Sequence, residues 1–264
     1  MSVECFREAV LSLVDWPGVI GVFGGNPCAH PRFEDLCAVL CELVPDQRRR
    51  GLWTNNLMGK GGIVRETFYP NGRFNLNAHA DEDAAREIDE WLPGRLIETS
   101  RNRLSWHSPV LMSYRDLGLT EQAWGALREN CDINQTWSAA IRQGDDGRPY
   151  AYFCEVAAAL DGVRGVNNGI LATPGWWREK MPFFERQVRG CCDGGGGPAC
   201  GVPLRLLGHL DRSDTYDVTQ SWADRVASDR RGQVELAMHD SMPESTDRPT
   251  DYQAHRSTKP VGVL

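Results

Sequence analysis

The chain has 264 residues, of which 41% are hydrophobic, and it carries 29 Lys and Arg against 36 Asp and Glu, a net charge of −7. This composition suits a folded protein with one substantial core, or with a core and a small appended module. An acidic chain whose only basic triplet spans residues 48–50 argues against nucleic acid as a main partner. No apolar run is long enough for a membrane span, and the N-terminus shows no secretion signal, so we expect a cytoplasmic protein without a membrane partner.

The first part of the chain alternates helix and strand signals. Apolar residues at helical spacing over 3–14 predict an amphipathic helix, and the uncharged run 19–23 predicts a buried strand that ends in two glycines. A second apolar stripe over 33–44 and a second strand over 50–55 follow. Strand, helix and strand in this order predict a right-handed crossover with parallel pairing. We therefore expect an α/β fold.

Three later segments alternate polar and apolar residues, which predicts strands with one polar face. Such a face lines a polar cavity in a curved sheet or partial barrel, whereas on a plain surface strand it only meets water. Three such strands in succession favour the cavity. We therefore predict a partial (β/α) TIM-like barrel whose cavity is lined by six side chains: Asn75, Asn77, His79, His107, Asn134 and Thr136.

The pattern changes after a turn-rich segment that ends near residue 149. We predict a partial barrel over residues 1–148 and a small cysteine-rich module over 149–228. Residues 229–264 contain too few apolar side chains to offset the entropy of ordering them. This last segment is predicted to be a disordered tail.

The nine cysteines are an odd number, and no secretion signal accompanies them, which disfavours a disulfide framework. Cys37 and Cys41 lie on a predicted apolar stripe, and Cys5 and Cys131 have no neighbouring ligands in sequence. All four are expected to pack in the core, where free cysteines are common. Cys28 directly follows the glycine turn. It is expected either to lie at the mouth of a site or to be buried.

The other four cysteines predict a metal site. Cys191, Cys192 and Cys200 lie within ten residues, and four intervening glycines let the backbone bring their thiolates round a common centre. Cys154 would complete four sulfur ligands, the number that suits tetrahedral zinc or a [4Fe–4S] cluster. His209 is an alternative ligand. A cysteine-rich loop without metal is the competing interpretation.

One segment resembles the radical S-adenosylmethionine (radical SAM) enzymes. It reads Gly-Gly-Asn-Pro over residues 24–27 and His-Pro over 30–31, with Thr-Asn over 54–55 one βα unit downstream. In that family the first turn holds the methionyl amino group of S-adenosylmethionine. Asn26 stands where the family has Glu, so an ionic contact would become a weaker neutral hydrogen bond. The resemblance implies that the cofactor is bound by Gly24, Gly25, Asn26, Pro27, Thr54 and Asn55.

The resemblance extends to the cysteine-rich module. Many radical SAM enzymes carry a C-terminal extension, called SPASM or twitch, whose cysteines bind auxiliary [4Fe–4S] clusters. The adjacent pair at 191–192 departs from the commoner C-x₂-C of such modules. The resemblance implies one auxiliary cluster, or zinc in its place, held by Cys154, Cys191, Cys192 and Cys200.

The defining C-x₃-C-x₂-C of the family does not occur in these 264 residues. The resemblance implies reductive cleavage of S-adenosylmethionine to a 5′-deoxyadenosyl radical, which would modify an unknown small-molecule or peptide substrate. A ferredoxin or flavodoxin would supply the electron. Without the motif this chain alone is not expected to perform the cleavage, and we interpret it as N-terminally incomplete.

Two other functions compete with this interpretation. The first is a non-catalytic binding protein of the same fold, stabilised by a metal or cluster. The second is an ordinary α/β enzyme that uses Cys28 as nucleophile with His30, two residues away.

Overall fold

The computed structural model describes residues 1–79, 81–96, 106–131, 139–178, 185–212, 215–227 and 235–238. The chain forms two compact units. Unit 1 comprises Met1–Arg103, Gln143–Tyr150 and Leu171–Glu179, and unit 2 comprises Leu104–Arg142, Ala151–Ile170 and Lys180–Leu264.

Unit 1 is built on a three-stranded parallel sheet. Its strands are β1 (Ile20–Val22), β2 (Arg50–Thr54) and β3 (Arg73–Leu76), which lie side by side in chain order. Parallel pairing puts the carboxyl ends of all three strands at the same edge of the sheet, where α/β proteins commonly bind ligands. The predicted α/β class is confirmed by this arrangement.

Four helices accompany this sheet: α1 (Val3–Leu11), α2 (Phe33–Leu43), α3 (Gly61–Phe68) and α4 (Glu82–Trp91). Helix α2 connects β1 to β2, and α3 connects β2 to β3, as the predicted crossovers require. Helix α1 ends three residues earlier than its apolar pattern suggested. The side chain of Asp81 caps α4 by accepting hydrogen bonds from the first backbone amides of the helix.

The core of unit 1 consists of the apolar faces of these elements, with Phe33 and Leu40 of α2 and Leu52 of β2 at its centre. Cys37 is buried in this core, as its helical stripe predicted, whereas Cys41 is only half-buried. Cys28 is also fully buried in this core, so of its two predicted positions, at the mouth of a site or buried, the structure shows the buried one.

A buried arginine fixes the start of β2. The Arg50 guanidinium donates to the backbone carbonyls of Val44, Pro45 and Thr67 at 2.7–3.1 Å. Charge-assisted hydrogen bonds of this kind contribute roughly 1.5–3 kcal/mol each. They tie the ends of α2 and α3 to the strand between them.

Unit 2 contains α5 (Glu121–Glu129), α6 (Glu155–Arg164) and α7 (Gln220–Ala227). Two small sheets accompany these helices. In the first, β4 (Trp106–His107) pairs antiparallel with β8 (Asp211–Arg212), and in the second, β9 (Thr215–Val218) pairs parallel with β10 (Glu235–Met238). A further three-stranded sheet has the order β5 (Ala140–Gln143), β6 (Pro149–Tyr152) and β7 (Ile170–Leu171).

The described strands form small separate sheets, and none of these closes into a barrel. The partial TIM-like barrel therefore remains a prediction. Alternating polar residues specify a strand with two different faces, but they do not specify the curvature that closes a barrel, which depends on strand tilt and stagger.

Two further features of the sequence can be compared with the structure. The segment 229–264 was predicted to be disordered, but its residues Glu235–Met238 form β10. In this strand Leu236 and Met238 alternate with Glu235 and Ala237. The rest of the segment lies outside the described residues. Among the helices that the structure describes, none is long and apolar enough to cross a membrane.

The core assignment predicts different effects for two phenylalanines of unit 1. Phe33 is fully buried, whereas Phe23 is 42% exposed. Replacing Phe33 by Ala should lower the free energy of unfolding by about 3–5 kcal/mol, because it leaves a cavity. The control Phe23→Ala should change it by less than about 0.5 kcal/mol. Chemical denaturation measures both, and equal losses would contradict the core assignment.

Candidate functional site

The turn after β1 contains two glycines in the left-handed region, with φ of 109° at Gly24 and 56° at Gly25. L-residues with a side chain rarely adopt this conformation. A Cβ atom at either position would have no neighbour within 4 Å, so the space beside the turn is open. The turn therefore presents bare backbone at the ligand-binding edge of the parallel sheet.

Asn26 holds this turn against the neighbouring strand. Its side-chain oxygen accepts a hydrogen bond from the backbone amide of Cys28 at 3.0 Å and another from the Thr54 hydroxyl at 2.7 Å. The Thr54 hydroxyl also lies 3.0 Å from the Asn56 carbonyl oxygen, and its single proton can go to only one of the two acceptors. Pro27 is buried in the short 3₁₀ turn that Asn26 caps. In this arrangement Asn26 stabilises the turn and connects it to the end of β2.

Asn55 carries an unsatisfied acceptor at the end of the neighbouring strand. It follows the last residue of β2, and its side-chain oxygen is buried without a hydrogen-bond partner. An unsatisfied buried acceptor costs about 1–3 kcal/mol, and such atoms in native structures often mark a ligand or water position. The open glycine turn and this orphaned oxygen lie at the carboxyl ends of adjacent strands.

The predicted cavity strand of unit 1 alternates as expected. Leu76 and Ala78 are buried, whereas Asn75 and His79 are exposed and Asn77 is half-buried. The backbone amide of Asn77 donates to the Thr54 carbonyl at 3.2 Å, and the Asn77 side chain accepts from the amide of His79 at 3.1 Å. The end of β3 therefore lies beside the end of β2, where Asn55 follows.

The other three predicted cavity residues are not placed with these. His107 belongs to unit 2, where it forms part of β4. Asn134 and Thr136 lie outside the described residues. Whether the six side chains share one cavity stays a prediction.

Cys28 is poorly suited to nucleophilic catalysis. Burial raises the pKa of its thiol to about 11, although the Thr54 hydroxyl and the nearby Lys60 ammonium act in the opposite direction. The thiolate is the nucleophile, so a thiol with this pKa reacts slowly at neutral pH. The raised pKa counts against the hypothesis that the protein is an α/β enzyme with Cys28 as nucleophile and His30 as its partner.

The C-terminal cysteines gather in unit 2. Cys154 immediately precedes α6 without a side-chain capping hydrogen bond, and Cys191 and Cys192 end a π-helical turn, Val188–Cys192. The backbone amide of Cys200 donates to the Cys192 carbonyl at 3.3 Å, which brings the two ends of the glycine-rich segment together. We call residues 190–200 the cysteine loop.

Cys131 joins this group, although the sequence predicted it to be an isolated core thiol. It packs with Cys200, Val202 and Trp222 in one apolar cluster. Its position 23 residues before Cys154 carries no spacing signal, so only the tertiary structure reveals it. The thiol group of unit 2 therefore has five members: Cys131, Cys154, Cys191, Cys192 and Cys200.

Burial holds four of these thiols, those of Cys154, Cys191, Cys192 and Cys200, in the neutral form. Burial raises the pKa of Cys200 to about 12. It is also the main reason why the pKa values of Cys154, Cys191 and Cys192 are raised. The neighbouring thiols raise the pKa of Cys192 further, Cys200 and Cys154 most strongly. A bound cation reverses this balance, because metal ligation deprotonates thiols outright.

The fit to a metal is incomplete. The cysteines of unit 2 are of the residue type that binds zinc or an iron–sulfur cluster, and they lie in the same part of the unit. In the part of the chain that the structure describes, however, no three His, Cys, Asp or Glu side chains converge closely enough to hold a metal ion. Metal binding would require the thiols to approach one another, and the predicted alternative ligand His209 is itself buried.

A buried arginine on α6 fixes the cysteine loop. The Arg164 guanidinium donates to the carbonyls of Gly190 at 2.9 Å and Cys191 at 3.3 Å, and also to that of Pro198. It lies over the ring of Trp222, whose indole nitrogen donates to the Ala199 carbonyl at 2.8 Å. Both ends of the loop are therefore bound to α6, and its C-terminal end is also bound to α7.

The middle of the loop is held at Asp193. Its carboxylate accepts from Arg128 at 2.6 and 2.7 Å and from the indole of Trp124 at 3.1 Å. Arg115 donates to the carbonyls of Asp193 and Gly197. The loop is thus bound by side chains at several points along its length.

An open cavity of about 450 Å³ lies beside the loop in unit 2. Charged, amide and glycine residues line it: Asn168, Glu185, Arg186, Arg189, Gly190 and Gly195. The cavity gives solvent and solutes a path to the backbone that immediately precedes Cys191.

Unit 2 also contains a buried acid that the sequence did not single out. Asp211 of β8 is 1% exposed, and its carboxylate lies beside Asp217. Burial, and secondly the nearby Asp217, raises its pKa to about 7. In the β4–β8 register Asp211 stands opposite His107.

Comparison of this chain with protein-family models, with curated proteins and with solved structures found no match.

The cysteine loop predicts different effects for two of its glycines. Gly194 (φ 87°) and Gly196 (φ 97°) both lie in the left-handed region, but a Cβ at Gly194 would collide with the Gly197 carbonyl oxygen, whereas one at Gly196 meets nothing. Gly196→Ala should cost roughly 1–2 kcal/mol of stability from backbone strain alone. Gly194→Ala should cost more, as measured by thermal unfolding. Equal costs would show that the loop is not closed in this way.

Proposed function

We propose that this chain is a radical SAM-type protein that binds S-adenosylmethionine at the glycine turn of unit 1 and an iron–sulfur cluster at the cysteines of unit 2. The observation that carries the proposal is the pairing of an open Gly24–Gly25 turn with the orphaned Asn55 oxygen at one edge of a parallel sheet. The partial (β/α) barrel belongs to this proposal.

The residues at the turn suit the methionyl half of the cofactor. The bare backbone of the turn lets a ligand approach closely, and the Asn55 oxygen accepts a hydrogen bond from an ammonium group. Thr54 contributes indirectly, because its hydroxyl holds Asn26 and thereby the turn. Asn77 and His79 lie along the same edge, where they would face a substrate beside the cofactor.

In radical SAM enzymes the bound cofactor supplies a carbon-centred radical, and the protein supplies position and exclusion of water. The cluster that starts this chemistry needs three cysteines at the C-x₃-C-x₂-C spacing, which these 264 residues do not contain. Such a cluster, and a reductant such as a ferredoxin or flavodoxin, would have to come from outside them. The substrate is a small molecule or peptide of unknown identity.

The absence of that motif favours a second candidate function. A non-catalytic protein of the same ancestry would keep the nucleotide-binding turn and use zinc or a cluster for stability alone. The two candidates differ in the metal that unit 2 takes up and in whether ligand binding at unit 1 leads to cleavage of the ligand.

Cofactor binding at the turn is tested by two glycine variants. Gly25→Ala places a methyl group in the open space and strains the backbone, so affinity for S-adenosylmethionine should fall at least about tenfold, which corresponds to about 1.4 kcal/mol. Gly94→Ala is the matched control, because Gly94 also has a positive φ with open space around it. Isothermal titration measures both, and no binding by the wild type would refute the site.

Cluster binding is tested by anaerobic reconstitution with iron and sulfide. A [4Fe–4S] cluster gives broad absorbance at about 400 nm from its thiolate ligation. We expect Cys154→Ser and Cys200→Ser to abolish it, and Cys41→Ser, a half-buried thiol of unit 1, to leave it unchanged. Tight stoichiometric zinc without a chromophore would instead support the binding protein.

A further inference from the structure

One wall of the cavity beside the cysteine loop carries two guanidinium groups. Arg186 and Arg189 both line this cavity, about one helical turn apart on the segment that runs into the π-helical turn Val188–Cys192. Helical turns of the π type are rare and frequently occur at functional sites. Two positive charges on one wall favour an anionic ligand.

The two guanidinium groups retain donors for a ligand. Arg186 donates to the backbone carbonyl of Asn167 at 3.2 Å, which holds its side chain at the cavity. A guanidinium carries several N–H donors, so this one bond leaves the others available. The Arg189 side chain is exposed and makes no hydrogen bond or ion pair with any residue that the structure describes. The cavity therefore presents positive charge that its described surroundings do not neutralise.

The side-chain amide of Asn168 forms another part of the cavity wall, and a buried acid fixes its orientation. Its nitrogen donates to the completely buried Asp161 carboxylate at 2.9 Å, and the Asn168 backbone amide donates to the same carboxylate at 2.5 Å. An ionised carboxylate only accepts, so these contacts direct the nitrogen to Asp161 and leave the Asn168 oxygen as an acceptor. This oxygen lies against Gly190, where a Cβ atom would be 2.3 Å from it.

Two glycines form the part of the cavity that belongs to the loop. Gly195 has a φ of 52°, and a Cβ atom there would lie 3.2 Å from both the Cα and the carbonyl oxygen of Gly190. The two backbone segments pack this closely because neither residue has a side chain, and they leave bare backbone for a ligand. Arg164 holds the Gly190 carbonyl at 2.9 Å, so this part of the cavity is formed before a ligand binds.

We infer that this cavity binds a small organic anion that also carries hydroxyl groups, of which a sugar phosphate is the simplest kind. Arg186 and Arg189 bind the anionic group, since guanidinium donors match the paired oxygens of phosphate and carboxylate. The Asn168 oxygen and the Glu185 carboxylate, which also lines the cavity, accept from the hydroxyls. The volume of about 450 Å³ lies within the usual range for small-molecule sites.

Glu185 makes the site selective for such a ligand over a simple anion. Within the described residues no ion pair joins Glu185 to either arginine of the cavity. Its carboxylate therefore repels an anion without hydroxyls but accepts hydrogen bonds from one that has them. Two guanidinium groups against one carboxylate still leave the cavity positively charged. The site lies in unit 2 and depends neither on a metal nor on S-adenosylmethionine.

Calorimetric titration of the full-length chain with glucose 6-phosphate tests the inference, with gluconate and glucose as comparison ligands. We expect saturable binding of the sugar phosphate and at least about tenfold weaker binding of glucose, which lacks the charge. Gluconate separates the two kinds of anion, because tighter binding of gluconate assigns a carboxylate to the site and weaker binding a phosphate. Equal affinities for glucose 6-phosphate and glucose, or no binding of either anion, would overturn the inference.

Variants that remove one charge test the placement of the anion. Arg186→Gln and Arg189→Gln should each weaken binding of glucose 6-phosphate at least about tenfold, whereas Arg189→Lys keeps the charge without the paired donors and should weaken it less. Arg86→Gln is the matched control, because Arg86 is an exposed arginine of α4 in unit 1. It should leave the affinity unchanged. An equal loss in the control would mean attraction by overall charge alone and would refute the site.

Glu185→Gln tests the recognition of the hydroxyls. It removes the repelling charge, so inorganic phosphate should bind more tightly, and the preference for glucose 6-phosphate over inorganic phosphate should fall at least about fivefold. An unchanged preference would contradict the role of Glu185. Gly25→Ala, which tests the cofactor turn of unit 1, should leave binding of the sugar phosphate unchanged, so the two sites are tested independently.

Discussion

The arrangement of unit 2 depends on one buried guanidinium. Arg164 ends α6 and binds carbonyls on both sides of the cysteine loop, while its ring contact with Trp222 joins the loop to α7. Hydrogen bonds to these carbonyls offset part of the cost of burying the charge, although the Arg164 Nε has no partner in the described part of the chain. A loop with four consecutive glycines has high conformational entropy when unfolded. Arg164 offsets that entropy with charge-assisted hydrogen bonds.

Unit 1 also contains a flexible glycine segment, but there it is held by neutral hydrogen-bonding groups and not by a charged side chain. The glycine turn is held by the Asn26 side chain, which the Thr54 hydroxyl and the Cys28 amide bind from two directions. Both units thus place a flexible glycine segment beside a rigid support. In unit 1 the support leaves the Asn55 oxygen unsatisfied, and in unit 2 it leaves a group of neutral thiols. Unsatisfied polar atoms and clustered thiols are both features that a ligand would complete.

The two candidate functions make different use of these features. A radical SAM-type protein needs both the cofactor at the turn and the cluster at the cysteines, whereas a binding protein needs only one ligand and a stabilising metal. Neutral, buried thiols that do not yet converge are compatible with a site that forms when the metal binds, because metal binding and folding are commonly coupled.

The sequence by itself determined the α/β class, the order of the first three strands and the alternation around Leu76, because hydrophobic periodicity and glycine turns are local signals. It also located the glycine turn and the cysteine loop. Only the tertiary structure brought Cys131 to the other thiols, bound Cys191 to Asp161 and left the Asn55 oxygen without a partner. These features depend on contacts between residues far apart in the chain, which no spacing in the sequence encodes.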